Sequence, residues 1–394
     1  MGVIGALAFV VALLLSVMVH EYGHYSTARR YGMHVTEFFL GFGQRLWSTK
    51  RGETEFGIKV IPAGGYCKIS GMSPREQLAP EIEHRAFYKS SVRRKLVVLG
   101  SGSFLHFILG LILLFLLFVG FGTSQPSSVI SQVVPCVPSS DQCLETDPKS
   151  PANIAGLKAG DKIIALDSAQ EMSWPEISKI LRSSPNRQVT LTIKRDDRVE
   201  NLTLTLAERK VDGEVRGYLG IINSYALVRQ NPVTALSSTL STGWQITEGS
   251  FRGLINLPTQ IPSLFRQTFL GEARTSDGLV GVVGVARATG ETVASGNLTT
   301  PEKVATFLLI VASLNIFVGI FNLLPILPLD GGHMAVAIYE AFRRRRARRL
   351  GRPDPGPVDV EKLTPVTMVV FVLLVVLTML LLVADIFNPI KLNL

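Results

Sequence analysis

His20 and His24 stand four residues apart, with Glu21 beside the first, in the run His20-Glu21-Tyr22-Gly23-His24. On a helix that spacing projects both imidazoles from one face, where they can take two positions around one tetrahedral metal. Glu21 is placed to deprotonate a water held at such a metal, the arrangement of metal-dependent hydrolysis. The run ends a hydrophobic stretch that includes Leu13 to Val19, and there each unpaired ionisable group costs about 2.5 kcal/mol or more. Three such side chains so close together need a common purpose. The plainer alternative is hydrogen bonding to neighbouring helices.

A catalytic zinc takes three protein ligands and keeps one position open, so a further His, Asp or Glu is expected at matching depth. The candidate is Asp330, in the stretch Asn322 to His333 (NLLPILPLDGGH). Pro325 and Pro328 prevent a regular helix there, and irregular backbone at membrane depth is tolerated only where it is buried in protein or lines a cavity. Gly331 and Gly332 allow close approach. His333 is the competing ligand.

The elements that must position these groups follow from composition. The chain has 394 residues, 47% hydrophobic and only 18% charged, too apolar for an ordinary soluble protein. Apolar stretches at about 3–25, 96–121, 304–327 and 365–384 are long enough to cross a bilayer as helices. The first lacks a basic flank and a cleavage site, so it is expected to remain as a span rather than serve as a leader. The net charge of +9 does not call for a nucleic-acid partner, because the basic residues flank the spans: thirteen Lys and Arg lie between Arg29 and Lys95, and eight between Arg343 and Lys362. Under the positive-inside rule both segments are cytoplasmic, and 122–303 lies on the other side. The expected order is a first span over 1–28, a cytoplasmic loop over 29–95, a second span over 96–121, a third over 304–333 carrying the Asp-Gly motif, a basic loop over 334–364 and a fourth span over 365–387.

Within the first loop, Thr54 to Met72 combines β-forming residues with a Pro62-Ala63-Gly64-Gly65 turn signal, read as a membrane-associated hairpin over 54–72. In the outer segment, apolar runs alternate with turns between 126 and 208, and Ser150 to Asp161 (SPANIAGLKAGD) leads into Lys162 to Asp167. That stretch resembles a PDZ domain, a module that binds extended chains by adding a strand to its sheet edge; a β-rich spacer without a ligand is the alternative. Cys67 falls alone in the first loop. Cys136 and Cys143 lie in the outer segment, where an oxidising compartment would pair them; two free thiols are the alternative. Residues 209–303 read as a linker with amphipathic helices on the outer membrane surface.

HExxH ending the first span and an NxxPxxPxDG pattern ending a later one resemble the site-2 protease family. With one PDZ stretch between the second and third spans, the chain is similar to the bacterial sigma-E-regulator proteases, most of all to single-PDZ actinobacterial members. Gly41-Phe42-Gly43, the Pro62 to Tyr66 turn and Asn388-Pro389 extend the match. The resemblance implies Zn2+ on His20, His24 and Asp330, Glu21 as the base and Asn322 as a contact to the substrate backbone. It also implies that the 54–72 hairpin, with Gly64, Gly65 and Tyr66, is an edge that holds substrate extended. Partners implied are the bilayer of the bacterial inner membrane and single-span membrane proteins, such as anti-sigma factors already trimmed outside. One departure stands out: where the family has GPxxN, this chain has Gly102, Ser103, Phe104, Leu105 and His106. His106 shares a helix face with Gly102 and Gly110 and is expected to point into the bundle, beside the site; a plain helix–helix hydrogen bond is the alternative.

Rival readings fit less well. An aspartyl mechanism has only Asp385, at the opposite end of a span, to pair with Asp330. A serine mechanism on Ser101 or Ser103 with His106 leaves the HExxH run unexplained. A catalytically silent PDZ-containing membrane adaptor has no need of that run, and a metal transporter would spread ionisable groups along several spans.

Overall fold

The computed structural model describes residues 1–138, 143–167, 172–211, 214–274 and 278–390. The chain runs through α1 (Gly2–Arg30), β1 (Val35–Arg51), β2 (Thr54–Ile69), α2 (Pro80–Glu83) and α3 (Val92–Leu116), the last extended by a π-helical turn over Leu117–Phe121. There follow β3 (Thr123–Val133), α4 (Pro151–Ile154), β4 (Lys162–Leu166), α5 (Trp174–Arg182), β5 (Gln188–Arg195), β6 (Arg198–Thr205), β7 (Ala207–Val211), β8 (Glu214–Tyr218) and β9 (Ile221–Val228). The remainder is helical: α6 (Pro232–Phe269), α7 (Val282–Ala294), α8 (Thr300–Asn322), α9 (Asp330–Arg349) and α10 (Thr364–Phe387). Contacts divide the chain into a helical unit, Met1–Phe121 with Gln230–Leu394, and a β-rich unit, Gly122–Arg229.

In the helical unit, four helices are long and apolar enough to cross a membrane: Gly2–Arg30, Val92–Phe121, Thr300–Asn322 and Val360–Phe387. The protein is a multi-pass membrane protein. Glycines set its helix contacts: a methyl group on Gly23 would lie 2.7 Å from the Ser101 carbonyl oxygen, and one on Gly110 would lie 2.8 Å from Ile316 Cγ1. Bare backbone at these points lets α1 and α8 both close on α3. At the basic end, Ala28, Met33, Val35, Ile69, Phe87, Val98 and Leu99 form a buried apolar cluster that binds α1, both strands and α3 together.

Four expectations are corrected here. Thr54 to Met72 is not a hairpin by itself: β2 is one long strand whose partner, β1, lies in the segment 35–51 that the sequence reading left unassigned. The chain reverses at Gly52, which takes φ 63°, so that Arg51 pairs with Thr54. The halves of β2 on either side of Pro62–Gly65 do not face each other, because β1 residues 37–40 lie between them. Phe38 pairs with Cys67 on one side and with Phe56 on the other.

The expected third span over 304–333 is two elements. α8 stops at Asn322, since Pro325 and Pro328 cannot donate the helical hydrogen bonds, and Asp330 opens α9. A methyl on Gly331 would lie 2.2 Å from the Leu323 carbonyl oxygen, and one on Gly332 would lie 2.5 Å from the Leu327 nitrogen. The paired glycines let the irregular turn fold tightly onto the start of α9.

The 209–303 segment is not a linker. Its first part completes the β-rich unit through β7, β8 and β9. α6 then turns the small residues Ala235, Thr239 and Gly243 inward, and a methyl on Gly243 would lie 2.7 Å from Leu111 Cδ2 on α3. At the ends of α6 and α10, Asp385 accepts hydrogen bonds from Arg274 Nη1 at 2.9 Å and from the Gly281 and Gly284 amides at 3.0 and 2.8 Å. Asn388 Nδ2 donates to the carbonyls of Gln267 and Glu272.

The β-rich unit extends beyond the expected 126–208 because β3 needs β9 as its partner. Thr123 pairs with Val228 and Val133 with Ile221. Its five-stranded sheet has the order β6-β5-β4-β3-β9, with β7 and β8 as a separate pair. Ile130, Ile163, Leu166, Ile177, Leu191 and Ile193 fill its core against α5. A disulfide joins Cys136 to Cys143. Asp161, fully buried, takes the Nε and Nη2 of Arg195 at 2.7 Å each and the Lys158 amide at 2.8 Å.

Candidate active site

α1 carries His20 and His24 inward because four residues of helix return to the same face. Both are 7% exposed, and their Nε2 atoms lie 3.0 Å apart. Asp330, delivered by the first turn of α9, places Oδ2 3.2 Å from each of them. His24 Nδ1 donates to the Val98 carbonyl at 2.8 Å, which leaves its Nε2 with a lone pair. Two imidazole nitrogens and a carboxylate oxygen thus converge, and the buried Asp330 Oδ2 has no hydrogen-bond donor.

Electron-pair donors gathered in this way repel one another until a cation sits among them. The three ligand atoms fall within 4.8 Å of one another, and a tetrahedral zinc would space such atoms by about 3.4 Å, given its bond lengths. The donor set fits zinc in type, number and spacing.

α3 closes the site from the side. A methyl on Gly102 would lie 2.6 Å from His20 Cε1 and 2.7 Å from His24 Nε2, so only glycine fits there. One turn further, the ring of His106 lies 4.9 Å from that of His20. His106 Nδ1 donates to Asn315 Oδ1 at 2.9 Å, and Asn315 Nδ2 donates in turn to Ser16 Oγ at 3.0 Å and the Val311 carbonyl at 2.8 Å. All three side chains are buried. The sequence reading named His106 and missed Asn315 and Ser16. A lone asparagine inside the apolar run of α8 was the available signal, since polar groups at membrane depth need partners.

The strand β2 lies over Glu21. A methyl on Gly65 would sit 3.3 Å from Glu21 Cγ and 3.0 Å from Met18 Sδ. Gly64 takes φ 135°, a conformation that L side chains rarely adopt. Tyr66 stacks between Phe39 and Phe42 at 5.9 Å from each, donates to Glu37 and accepts from Lys59 Nζ at 2.6 Å. Asn322 closes α8, and its side-chain amide has no protein hydrogen-bond partner among the described residues. His333, the competing ligand, instead lines a separate small cavity with Lys95, Phe87 and Glu340.

The profile of peptidase family M50 matches residues 8–352, which takes in the whole length over which these groups are distributed. The chain belongs to peptidase family M50. Among its M50 relatives, the zinc metalloprotease Rip1 of Mycolicibacterium smegmatis is 34% identical over 409 residues, covering 98% of this chain and 98% of the relative. Rip1 of Mycobacterium tuberculosis (strain ATCC 35801 / TMC 107 / Erdman) is 34% identical over 412 residues, covering 100% and 99%. The regulator of sigma-E protease RseP of Salmonella typhimurium is 25% identical over 426 residues, covering 85% and 90%. The candidate hydrolytic centre of this chain lies among apolar helices.

Proposed function

We propose that His20, His24 and Asp330 hold the zinc and that Glu21 is the proton carrier of the reaction. The chain is a zinc metalloendopeptidase of the site-2 protease type, cutting within the membrane. The observation that carries the site assignment is the convergence of three buried lone-pair donors from α1 and α9 with spacings of 3.0 and 3.2 Å. Zinc, when bound, makes water acidic enough to act as a nucleophile near neutral pH and polarises a carbonyl. Glu21 accepts the proton of the attacking water and passes it to the departing amine nitrogen.

A membrane-spanning substrate hides its peptide bonds in its own helical ladder, so it must unwind and find new partners. The β2 residues Gly64, Gly65 and Tyr66 offer an edge for it, and the free amide of Asn322 offers a further hydrogen bond. His106, held by Asn315, braces the ring of His20. The substrates are single-span membrane proteins of the anti-sigma-factor type, trimmed beforehand, a reading supported by the likeness to the regulator of sigma-E protease. The basic segments that flank α1, α3 and α9 support an inner-membrane topology with residues 122–229, a PDZ-like domain, outside the cytoplasm.

The test is metal analysis beside cleavage of a model transmembrane segment. Glu21→Gln should retain stoichiometric zinc and lose cleavage by about 10³-fold or more, on the scale of general acid–base catalysis. His20→Ala and Asp330→Ala should lose both. An active Glu21→Gln enzyme would overturn the assignment.

A further inference from the structure

We propose that the outward face of α9, in the half of the helix away from Asp330, binds the headgroups of anionic phospholipids. α9 starts at Asp330 in the candidate centre and follows α3 back toward the start of that span. A methyl on Gly100 would lie 3.7 Å from Met334 Cε, and further along Glu340 accepts from Lys95 Nζ at 3.1 Å, both side chains buried. Lys95 stands just before the apolar run of α3, which begins at Leu96. α9 continues past that level to Arg349. At 1.5 Å per residue, Arg345 to Arg349 lie about 7 to 14 Å beyond Glu340 along the axis, in the direction of the headgroups that border a hydrocarbon core of about 30 Å.

The two faces of this half differ. Ala337 and Glu340 are buried against the protein, Arg344 bonds Glu340 at 3.2 Å, and Arg343 Nη2 donates to the Gly356 carbonyl at 2.7 Å. On the opposite face Ile338, Phe342, Arg345 and Arg349 follow one another at helical spacing, flanked by Tyr339 and Arg346. Ile338, Tyr339 and Phe342 are 55, 57 and 64% exposed. Arg345, Arg346 and Arg349 are exposed too and have no carboxylate partner among the described residues. Apolar side chains that give way within a turn to guanidiniums suit the boundary where acyl chains end and phosphates begin.

The positive-inside bias explains basic residues here, but it is satisfied equally by lysine. All seven basic residues from Arg343 to Arg352 are arginine, the side chain that bonds phosphate oxygens in pairs. Three guanidiniums without an acidic partner leave a positive excess that a lipid of net negative charge neutralises and a zwitterionic lipid does not. Nucleic-acid phosphates would match the charge but leave the apolar part of the face unexplained. The proposal does not depend on the proteolytic reading, since binding is measured without cleavage.

The experiment reconstitutes the full chain in phosphatidylcholine vesicles with a trace of spin-labelled phosphatidylglycerol or spin-labelled phosphatidylcholine, and reads the fraction of each that is immobilised at the protein. Phosphatidylglycerol should be preferred, and the preference should weaken as salt is raised. Arg345→Gln with Arg349→Gln should lower the relative association constant about fivefold, the scale of one basic residue at an anionic surface. Arg345→Lys with Arg349→Lys, which keeps the charge, should retain most of it. Arg30→Gln with Arg93→Gln makes the same charge change at the ends of α1 and α3 and should have a much smaller effect. Inorganic phosphate at matched ionic strength should not displace the lipid, because it lacks the acyl chains. Equal immobilisation of the two lipids, parental preference in the α9 Gln variant, an equal loss in its Lys counterpart or in the Arg30 and Arg93 variant, or displacement by inorganic phosphate or an RNA oligonucleotide would each overturn the proposal.

Discussion

At His106 the chain departs from the residue its family resemblance leads one to expect, and the compensation is visible one helix away. An asparagine side chain is supplied by Asn315, on α8, and the imidazole occupies the space between it and His20. We propose on that geometry that His106 and Asn315 share a task, to hold His20 in the rotamer that faces Asp330. Partners that orient a metal-binding imidazole typically contribute 10–100-fold to affinity or activity. Asn315→Ala and His106→Ala should each lower zinc affinity by about that factor, read by competition with a chelator, and the double variant should lose little more than either alone. His106→Asn should recover part of the loss. Zinc affinity and cleavage at parental values in both alanine variants would reduce the pair to helix packing.

Among the elements, what the sequence made legible was whatever local chemistry dictates. The four apolar helices follow from continuous hydrophobic runs, and the break before Asp330 follows from Pro325 and Pro328. The zinc candidates were legible because HExxH needs only helical spacing. β1 was not, because Val35–Arg51 bends at Gly41 and Gly43 and pairs with two separated halves of β2, so its partners cannot be inferred from its own alternation. β9 was missed for a similar reason: it pairs with β3 across about a hundred residues of chain. In the same sheet, burial pushes the Asp161 carboxyl up, but the Arg195 guanidinium outweighs it and holds the group below the usual carboxylate range. An unfolded aspartate takes up its proton near pH 3.9. The pair therefore stabilises the β-rich unit fully above that value, and this contribution is lost as pH falls from there through the lower folded value. Hydrogen exchange of residues 122–229 should show protection decreasing below about pH 4, and Asp161→Asn should start from lower protection and flatten that dependence. Equal pH profiles in the two proteins would count against it.

Across the molecule, the β-rich unit is an insertion whose ends lie together. Thr123 pairs with Val228, and in the helical unit the Gln230 amide donates to the Phe118 carbonyl at 3.0 Å. Excising 122–229 and bridging Phe121 to Gln230 with a short Gly-Ser linker therefore asks little of the helices. If the unit screens substrates by bulk, the excised protein should cut membrane proteins that still carry their outer domains, which the full chain should leave intact. Zinc content should be unchanged. A deletion protein that still cuts only trimmed substrates would show that selection lies elsewhere.

The clamp around Asp385 has a consequence for how this sequence can drift. α10 lies largely free of the protein interior, with Val366, Val369, Leu373 and Val376 all more than half exposed and only Ala384 and Asp385 buried. Lipid asks only that such positions be apolar and helical. A library randomising the exposed positions within 366–379 among apolar residues should therefore yield mostly active clones, since those side chains lie outside the protein interior. Position 385 should accept almost nothing. Asp385→Ala leaves Arg274 buried without its partner, a loss of roughly 3–5 kcal/mol, and removes the acceptor for two backbone amides of α7. Sequencing the survivors of a growth or cleavage screen would read this directly as near-random apolar usage along most of the last helix, ending abruptly at one invariant aspartate.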